Sequence, residues 1–546
     1  MTETKTFTYQ ARITGQQPVL DAFARLFGRL ERKFYVDRVH RTTSINELKS
    51  HYIADYGITA RQFNSLRISV DGKVSSVIEL LKLAVSDYQA RITQQQAKIK
   101  KLLTDRKKEA EFLKRGTPEN RRLKARQSVD KMDFVLHQRK RRLATLIARK
   151  ERIEQRIKDH NPKLCFGSKK LFRSQFALDE QSPTYKDELQ AWKKAWQQSR
   201  NHDIYLVGSK DESCGNQSCQ GVLQDDGRLQ LTVRLPNALH EQFGKTFVTN
   251  VKLNYGQRQI VSALNASRSE VVKKLDADGK EVQVKKRTGV ALTYRFSKDA
   301  KGWRVLISVP VTNTMKTEKQ LGVIGIDLNA DHLAATELDR FGNMIAFKRY
   351  PLNLTGTSDQ NQALIGDTVK DISSWAKQAS KPIVLEALDF KAKKQAMGDD
   401  KRYNVMLSSL AYNQIHQMMS ASAFRAGVEV ITVNPAYTSV IGNINYAKRL
   451  GISGHLAASI AIGRRGMNLK ENPVIDAQGQ MTYVLRDGHC VALSSPVRKR
   501  DKHVWSLWSK VRSQLTQPQE AGYRWSRDRA AEQRQRQQSP PMPIVG

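Results

Sequence analysis

The chain has 546 residues, with 92 Lys and Arg against 53 Asp and Glu, a formal net charge of +39 at pH 7. That length suffices for several domains with cores of their own, and so large a cationic excess implies a polyanionic partner rather than any particular fold. There is no apolar run of about 18 residues and no signal-peptide pattern, which disfavours a membrane surface and leaves a cytosolic nucleic-acid-binding protein; 4 cysteines in this length argue against a disulfide framework.

In chain order, Phe7, Tyr9, Ala11 and Ile13 alternate as in a half-buried strand. Pro18 stands where a helix would start, and Val19, Phe23, Leu26, Leu30 and Phe34 then line one helical face. Ser44-Ile45-Asn46-Glu47 is a capping-box pattern that opens another helix. From about 75 to 160 the chain reads as helical and strongly charged. Tyr88, Ile92, Ile99, Leu102 and Leu113 trace one seam, and Leu136, Leu143, Leu146, Ile153 and Ile157 a second. A break at Gly116-Thr117-Pro118 predicts two long antiparallel helices. A pair of this kind is either a solvated coiled coil or, given runs such as Arg139-Lys140-Arg141-Arg142, a nucleic-acid contact.

Lys169, Lys170 and Arg173, interleaved with Phe166 and Phe172, suit phosphate neutralisation plus base stacking. Cys214 and Cys219 have no nearby His and read as free thiols rather than half of a zinc site. From about 203 to 315 strands dominate: Ile204–Val207, Leu229–Leu235, Phe247–Leu253, Val290–Phe296 and Trp303–Val309, separated by turn clusters. They predict an antiparallel barrel, followed by a hinge near Pro310–Glu318.

The next stretch organises the chain. Leu321, Val323, Ile324 and Ile326 form a buried strand that delivers Asp327 at its end, in Gly325-Ile326-Asp327-Leu328-Asn329. An Asp here either caps a turn or begins a metal site. Two further strands follow, Leu333–Leu338 and Met344–Phe347, then a helix on Ile365, Val369, Ile372 and Ala376, then Pro382-Ile383-Val384-Leu385-Glu386-Ala387-Leu388. A Glu inside an apolar strand is costly unless it is paired or binds a metal. A helix with Leu407, Ala411, Ile415, Met418 and Ser422 on one face follows, then a strand Val428–Val433 leading into Asn434-Pro435-Ala436-Tyr437-Thr438-Ser439. The small-residue helix Gly454-His455 to Arg464-Arg465-Gly466 closes the fold. Beyond 470, Met481–Arg486 and His489–Leu493 suggest a hairpin. Arg498–Lys502 with Trp505 and Trp508 forms a basic-aromatic cluster, and 515–546, rich in Gln, Arg and Pro, reads as disordered.

The GIDLN strand, the VLEAL strand, the NPAYTS segment and the HLAASIAIGRRG helix, in this order, resemble the RuvC domain of the TnpB (OrfB)-like proteins of insertion sequences and of the related type V CRISPR effectors. The resemblance covers about 319–470. It implies a multidomain α+β protein with an RNase H-like (RuvC) nuclease domain over 319–510. Upstream it implies a wedge β-barrel over 161–315, whose first strand lies in 1–17, and a helical recognition lobe over 18–160; 511–546 would be a disordered basic tail. The implied partners are a guide RNA and target DNA, the implied site an Asp-Glu-Asp nuclease centre, and the implied setting the prokaryotic cytoplasm. Two departures stand out. His455 occupies the place of the family's second Asp, and the family's CxxC…CxxC zinc ribbon is missing, so no zinc is expected.

Two-metal phosphodiester hydrolysis needs carboxylates that hold divalent ions roughly 4 Å apart. Asp327 and Glu386 are the expected ligands of Mg²⁺ or Mn²⁺, with His455 as the third; an imidazole favours the softer ion. Asp331, Asp339 and Asp389 are nearby acids, Asp389 on the opposite strand face from Glu386. Expected nucleic-acid contacts are Arg139, Lys140, Arg141, Arg142, Lys169, Lys170, Arg173, Arg464 and Arg465. The function expected is RNA-guided DNA cleavage; the alternative is RNA-guided DNA binding with a weakened or silent nuclease, acting by occupancy.

Overall fold

Strand and helix placement follow the hydrophobic spacing closely in the computed structural model of the chain. It describes residues 2–15, 17–40, 44–113, 117–159, 162–266, 268–275, 281–329, 331–387, 409–485, 489–497 and 503–516. Gly116, Asp389, Leu407, the Arg498–Lys502 run and the tail from 517 lie outside the described residues. The chain divides into two compact units, Thr4–Thr312 and Asn313–Gly546, the latter together with Met1–Glu3.

In the first unit, strand β1 (Thr2–Arg12) leads into helix α1 (Pro18–His40). Helix α2 (Ile45–Tyr56) starts with the expected box, in which the Ser44 side chain and the Glu47 side chain each satisfy the other's backbone N–H. Thr59 and Gln62 repeat that device for α3 (Ala60–Glu111), which pairs with α4 (Glu119–Lys158). Arg106 bonds Asp133 at 2.6 Å and Arg121 bonds Glu109 at 3.2 Å. Partners that advance along one helix recede along the other, so the two run antiparallel, as expected. Helix α3 begins well before the charged stretch, because its first turns are apolar: Phe63, Leu66 and Val70 are buried beside Leu20, Phe23 and Phe34 of α1.

After α5 (Lys169–Ser174) and α6 (Tyr185–Arg200), strands β2 (Asp203–Leu206), β3 (Cys219–Leu223) and β4 (Leu229–Arg234) follow. Then come α7 (His240–Phe243), β5 (Thr246–Val251), α8 (Gln257–Asn265), β6 (Arg268–Leu275), β7 (Glu281–Thr288), β8 (Thr293–Asp299) and β9 (Gly302–Thr314). The N-terminal strand does pair with a late one, in the order β1-β9-β8-β2. The closed barrel expected from the strand pattern is not what forms among the described residues. Instead β3-β4-β5 makes a second open sheet and β6-β7 a separate hairpin. Residues of α1, the start of α3 and both sheets share one hydrophobic core.

The second unit contains β10 (Ile324–Leu328), β11 (His332–Leu338), β12 (Met344–Pro351), α9 (Ser358–Gln378) and β13 (Ile383–Glu386). Helix α10 (Ser409–Ala426) and β14 (Val430–Val433) complete a five-stranded sheet of order β12-β11-β10-β13-β14. The first three strands are antiparallel; β13 runs parallel to β10, and β14 parallel to β13. This is the β-β-β-α-β order read from the sequence. Beyond it lie α11 (Thr438–Gly442), a π-helical turn Asn443–Ala447, α12 (Gly454–Gly466), the hairpin β15 (Gln480–Val484) and β16 (Cys490–Ser494), and α13 (Val504–Thr516).

Alternation along each strand sorts the core into two layers. Ile324, Ile326, Ile383 and Leu385 pack with α9 and α10 on one face. Val323, Val384 and Val433 pack with α12 on the other. Trp508, expected in a basic-aromatic cluster, is fully buried in this second layer and donates its indole N–H to the Glu471 carbonyl at 3.1 Å. Val511, expected in the tail, is also core and lies in α13. Among the described residues no helix is long and apolar enough to cross a membrane.

Candidate metal centre

The parity that sorts the core also fixes the site. Asp327 is two residues beyond Gly325, so it faces α12, as does Glu386, two residues beyond Val384. The parallel register pairs Ile324 with Ile383 and Gly325 with Val384. Asp327 and Glu386 each lie two residues beyond the last pair, near the ends of these neighbouring strands and on the same face. Both carboxylates are 8% exposed.

Glycine permits the approach of α12. A Cβ on Gly325 would lie 2.1 Å from the Ser459 carbonyl oxygen and 2.7 Å from the Gly463 amide nitrogen, so the helix backbone rests directly on the strand. The Thr336 hydroxyl bonds the Ser459 hydroxyl across the same contact. Ser453 caps the helix start, its side chain accepting from the Leu456 amide, and this first turn carries His455 to Asp327.

There the His455 Nδ1–H donates to Asp327 Oδ2 at 3.1 Å, and the Asn329 side-chain amide donates to the same oxygen at 2.9 Å. A carboxylate oxygen only accepts, so Nδ1 carries the proton of this bond. Asp327 Oδ1 has no hydrogen bond among the described residues. Glu386 is oriented from β14: Tyr437 adopts a left-handed conformation at φ 64°, which turns Thr438 back so that its hydroxyl donates to Glu386 Oε1 at 2.5 Å.

A second histidine, absent from the sequence-based site, adjoins the first. His332 starts β11 on the same face, is 4% exposed, and meets the His455 ring edge-on with centroids 4.9 Å apart. Its Nδ1–H donates to Asp331 Oδ1 at 2.8 Å, which holds that carboxyl below the usual range. Nothing in the local pattern marked His332, since it reads as one more strand residue. Asp339 instead ties the β11–β12 turn, accepting from the Phe341 and Asn343 amides.

The two arginines of α12 are engaged internally. Arg464 donates to Glu471 at 2.5 Å and to the Gly342 carbonyl at 2.9 Å. Arg465 bonds the Asn434 carbonyl and lies over the Trp505 ring at 5.6 Å. Burial pushes the Arg465 guanidinium down, while the Glu386 charge opposes that shift. Lys140, Arg141, Arg142, Lys169, Lys170 and Arg173 are exposed in the other unit, and Arg139 is half-buried there.

Two buried carboxylates with an unoccupied Oδ1 between their anchors form a hard-oxygen donor set that fits Mg²⁺ or Mn²⁺. Among the described residues no group of three His, Cys, Asp or Glu side chains stands together as a metal cluster. His455 is bonded to Asp327 rather than standing beside it as a separate ligand.

No family model matches the chain and no curated protein matches it. Among solved structures it is similar to RuvC of Thermus thermophilus, at 15% identity over 28% of this chain and 99% of that chain, with a TM-score of 0.19. It is also similar to Cas12i1 in an R-loop complex before target DNA cleavage, at 9% identity over 79% of this chain, with a TM-score of 0.21. The chain spans about half, 51%, of the Cas12i1 chain. At these TM-scores neither likeness carries weight, and the site rests on strand order, register and side-chain contacts alone.

Proposed function

We propose that this protein is an RNA-guided DNA-binding protein and endonuclease that hydrolyses target DNA with divalent metal ions held by Asp327 and Glu386. The observation that carries the nuclease half is the register that sets these two buried carboxylates on one face of neighbouring strands. A hard divalent ion bound there supplies the positive charge that phosphodiester hydrolysis requires. The chain's own residues fix the acceptors. Asn329 and His455 lock one oxygen of Asp327 and leave the other for the metal, and Thr438 holds Glu386. His455, bonded to Asp327 through Nδ1, is the third group at the site and would ligate a second ion or act on the attacking water.

The guide half is supported by the net charge of +39 and by the exposed cations of the α3–α4 pair. In such a protein base pairing reads sequence, and the protein reads duplex shape and a short flanking motif. The copurifying RNA is expected to be one specific structured species, and its removal is expected to abolish sequence-selective DNA binding. Equal selectivity after complete RNA removal would refute the proposal. Replacing Arg139, Lys140, Arg141 and Arg142 by Gln is expected to lower the slope of log affinity against log salt, by roughly one unit for each phosphate no longer neutralised. An unchanged slope returns α3–α4 to a solvated coiled coil.

A second reading, guided DNA binding with a silent nuclease, is favoured by one contact. His455 brings no negative charge and bonds to Asp327, where an Asp would add a further anionic donor. The two readings separate in the cleavage assay with Mg²⁺ and Mn²⁺.

A further inference from the structure

Within Thr4–Thr312 a cavity of about 1030 Å³ opens between α1, the segment 164–168, the C-terminal end of α6 and the β2–β8 edge. Its carboxylates are already committed. Asp21 pairs with Lys298 at 2.6 Å, Glu31 with Lys73 at 2.5 Å, Asp203 with Arg295 at 2.8 Å, and Asp299 with Arg12 at 2.7 Å. Three lining cations, Arg25, Lys194 and Arg200, are left with no carboxylate partner among the described residues. Arg200 also stands close enough to Arg32 for the two positive charges to repel, which together with burial lowers the Arg32 guanidinium.

Two polar atoms of the lining are buried and bonded to nothing, Arg200 Nε and His202 Nδ1. Leaving a buried donor such as Arg200 Nε unpaired costs about 1–3 kcal/mol, and it stands beside the unneutralised cations of the lining. The aromatic half of the site is present as well. Phe166 lines the cavity, held edge-on by Tyr35 with centroids 5.7 Å apart, and the Arg200 guanidinium lies 4.9 Å over the Trp196 ring. Cations for a phosphate and a ring for a base are the two parts of a sequence-tolerant single-strand site.

We propose that this cavity takes one unpaired nucleotide of a single-stranded RNA, with its base against Phe166 and its phosphate on Arg25, Lys194 and the Arg200 edge. The inference rests on the RNA-binding part of the proposed function and assigns it a place. The occupant's chemistry, an aromatic base joined to a phosphate, is shared by free mononucleotides.

The test uses the full-length protein and a short labelled oligoadenylate RNA, titrated by fluorescence anisotropy at several salt concentrations. Arg25 and Lys194 are exposed and make no ion pair, so R25Q/K194Q keeps the fold; F166L keeps apolar volume and removes the stacking face. The double variant is expected to lower the salt slope by up to roughly 0.7, the contribution of the one single-strand phosphate these side chains neutralise. F166L is expected to weaken binding about tenfold, within the range for one stacked base. Calorimetry with AMP separates the sources. AMP that binds wild type but not F166L, while RNA binds all three proteins alike, assigns the cavity to a free nucleotide and overturns the RNA site. RNA bound equally by all three, with no AMP bound, overturns the site and leaves the proposed function standing. Wild type that binds no RNA overturns both.

Discussion

Asp327→Ala and Glu386→Ala should each lower guided DNA cleavage by about 10²–10³-fold or more while leaving guide-dependent DNA affinity within about twofold of wild type. The magnitude is that of losing one preorganised charge-stabilising group. The separation of effects follows from placement. Both carboxylates are buried at the strand ends facing α12, and neither belongs to the exposed cationic surface. His455→Ala removes one of the two donors to Asp327 Oδ2, leaving Asn329, and should cost on the order of 10²-fold if the site works as a nuclease. His455→Asp is the discriminating variant. In a silent site it adds the missing negative charge and should raise Mg²⁺-supported cleavage from background; in a working site it should shift preference from Mn²⁺ toward Mg²⁺. Cleavage at the wild-type rate by both Asp327→Ala and His455→Ala proteins would end the site assignment.

The second large effect is on stability. Gly325→Ala should destabilise the Asn313–Gly546 unit by about 3 kcal/mol, at the upper end for overpacking. The added Cβ meets backbone atoms of α12 at 2.1 and 2.7 Å, and backbone cannot rotate away as a side-chain tip can. Cleavage should fall with stability, because the helix that shifts is the one carrying His455. Gly72→Ala provides the opposite control. It lies inside α3 with nothing within 4 Å of its added Cβ, and should stabilise by about 0.5–1 kcal/mol through helix propensity alone. Urea titrations of both variants check the pair; a Gly325→Ala protein as stable as wild type would mean that α12 does not rest on β10.

Local chemistry wrote much of the fold legibly. Apolar runs of strand length, helical spacing and capping boxes depend on neighbours a few residues away, so β10, β13, α1 and the α3–α4 pair could be read directly. Asp327 and Glu386 stood out for the same reason, as acids at the ends of apolar strands. What the sequence alone determined, then, was the order of elements from β10 to α12, the two carboxylates and the cationic character of the chain.

Tertiary packing decided the rest, because register and layer contacts are set by side chains far apart in the chain. The hydrogen bond between His455 and Asp327 spans 128 residues, and the aromatic contact to His332 follows only once α12 lies on β11. Trp508 and Arg464 have compositions suited to nucleic acid, yet the burial of one and the carboxylate beside the other commit them to the interior. The strands of the first unit alternate as a barrel's would, but among the described residues they form separate sheets that share a core with α1 and α3. The unpaired Arg200 and His202 atoms become visible only where α6, the 164–168 segment and the sheet edge enclose a common cavity.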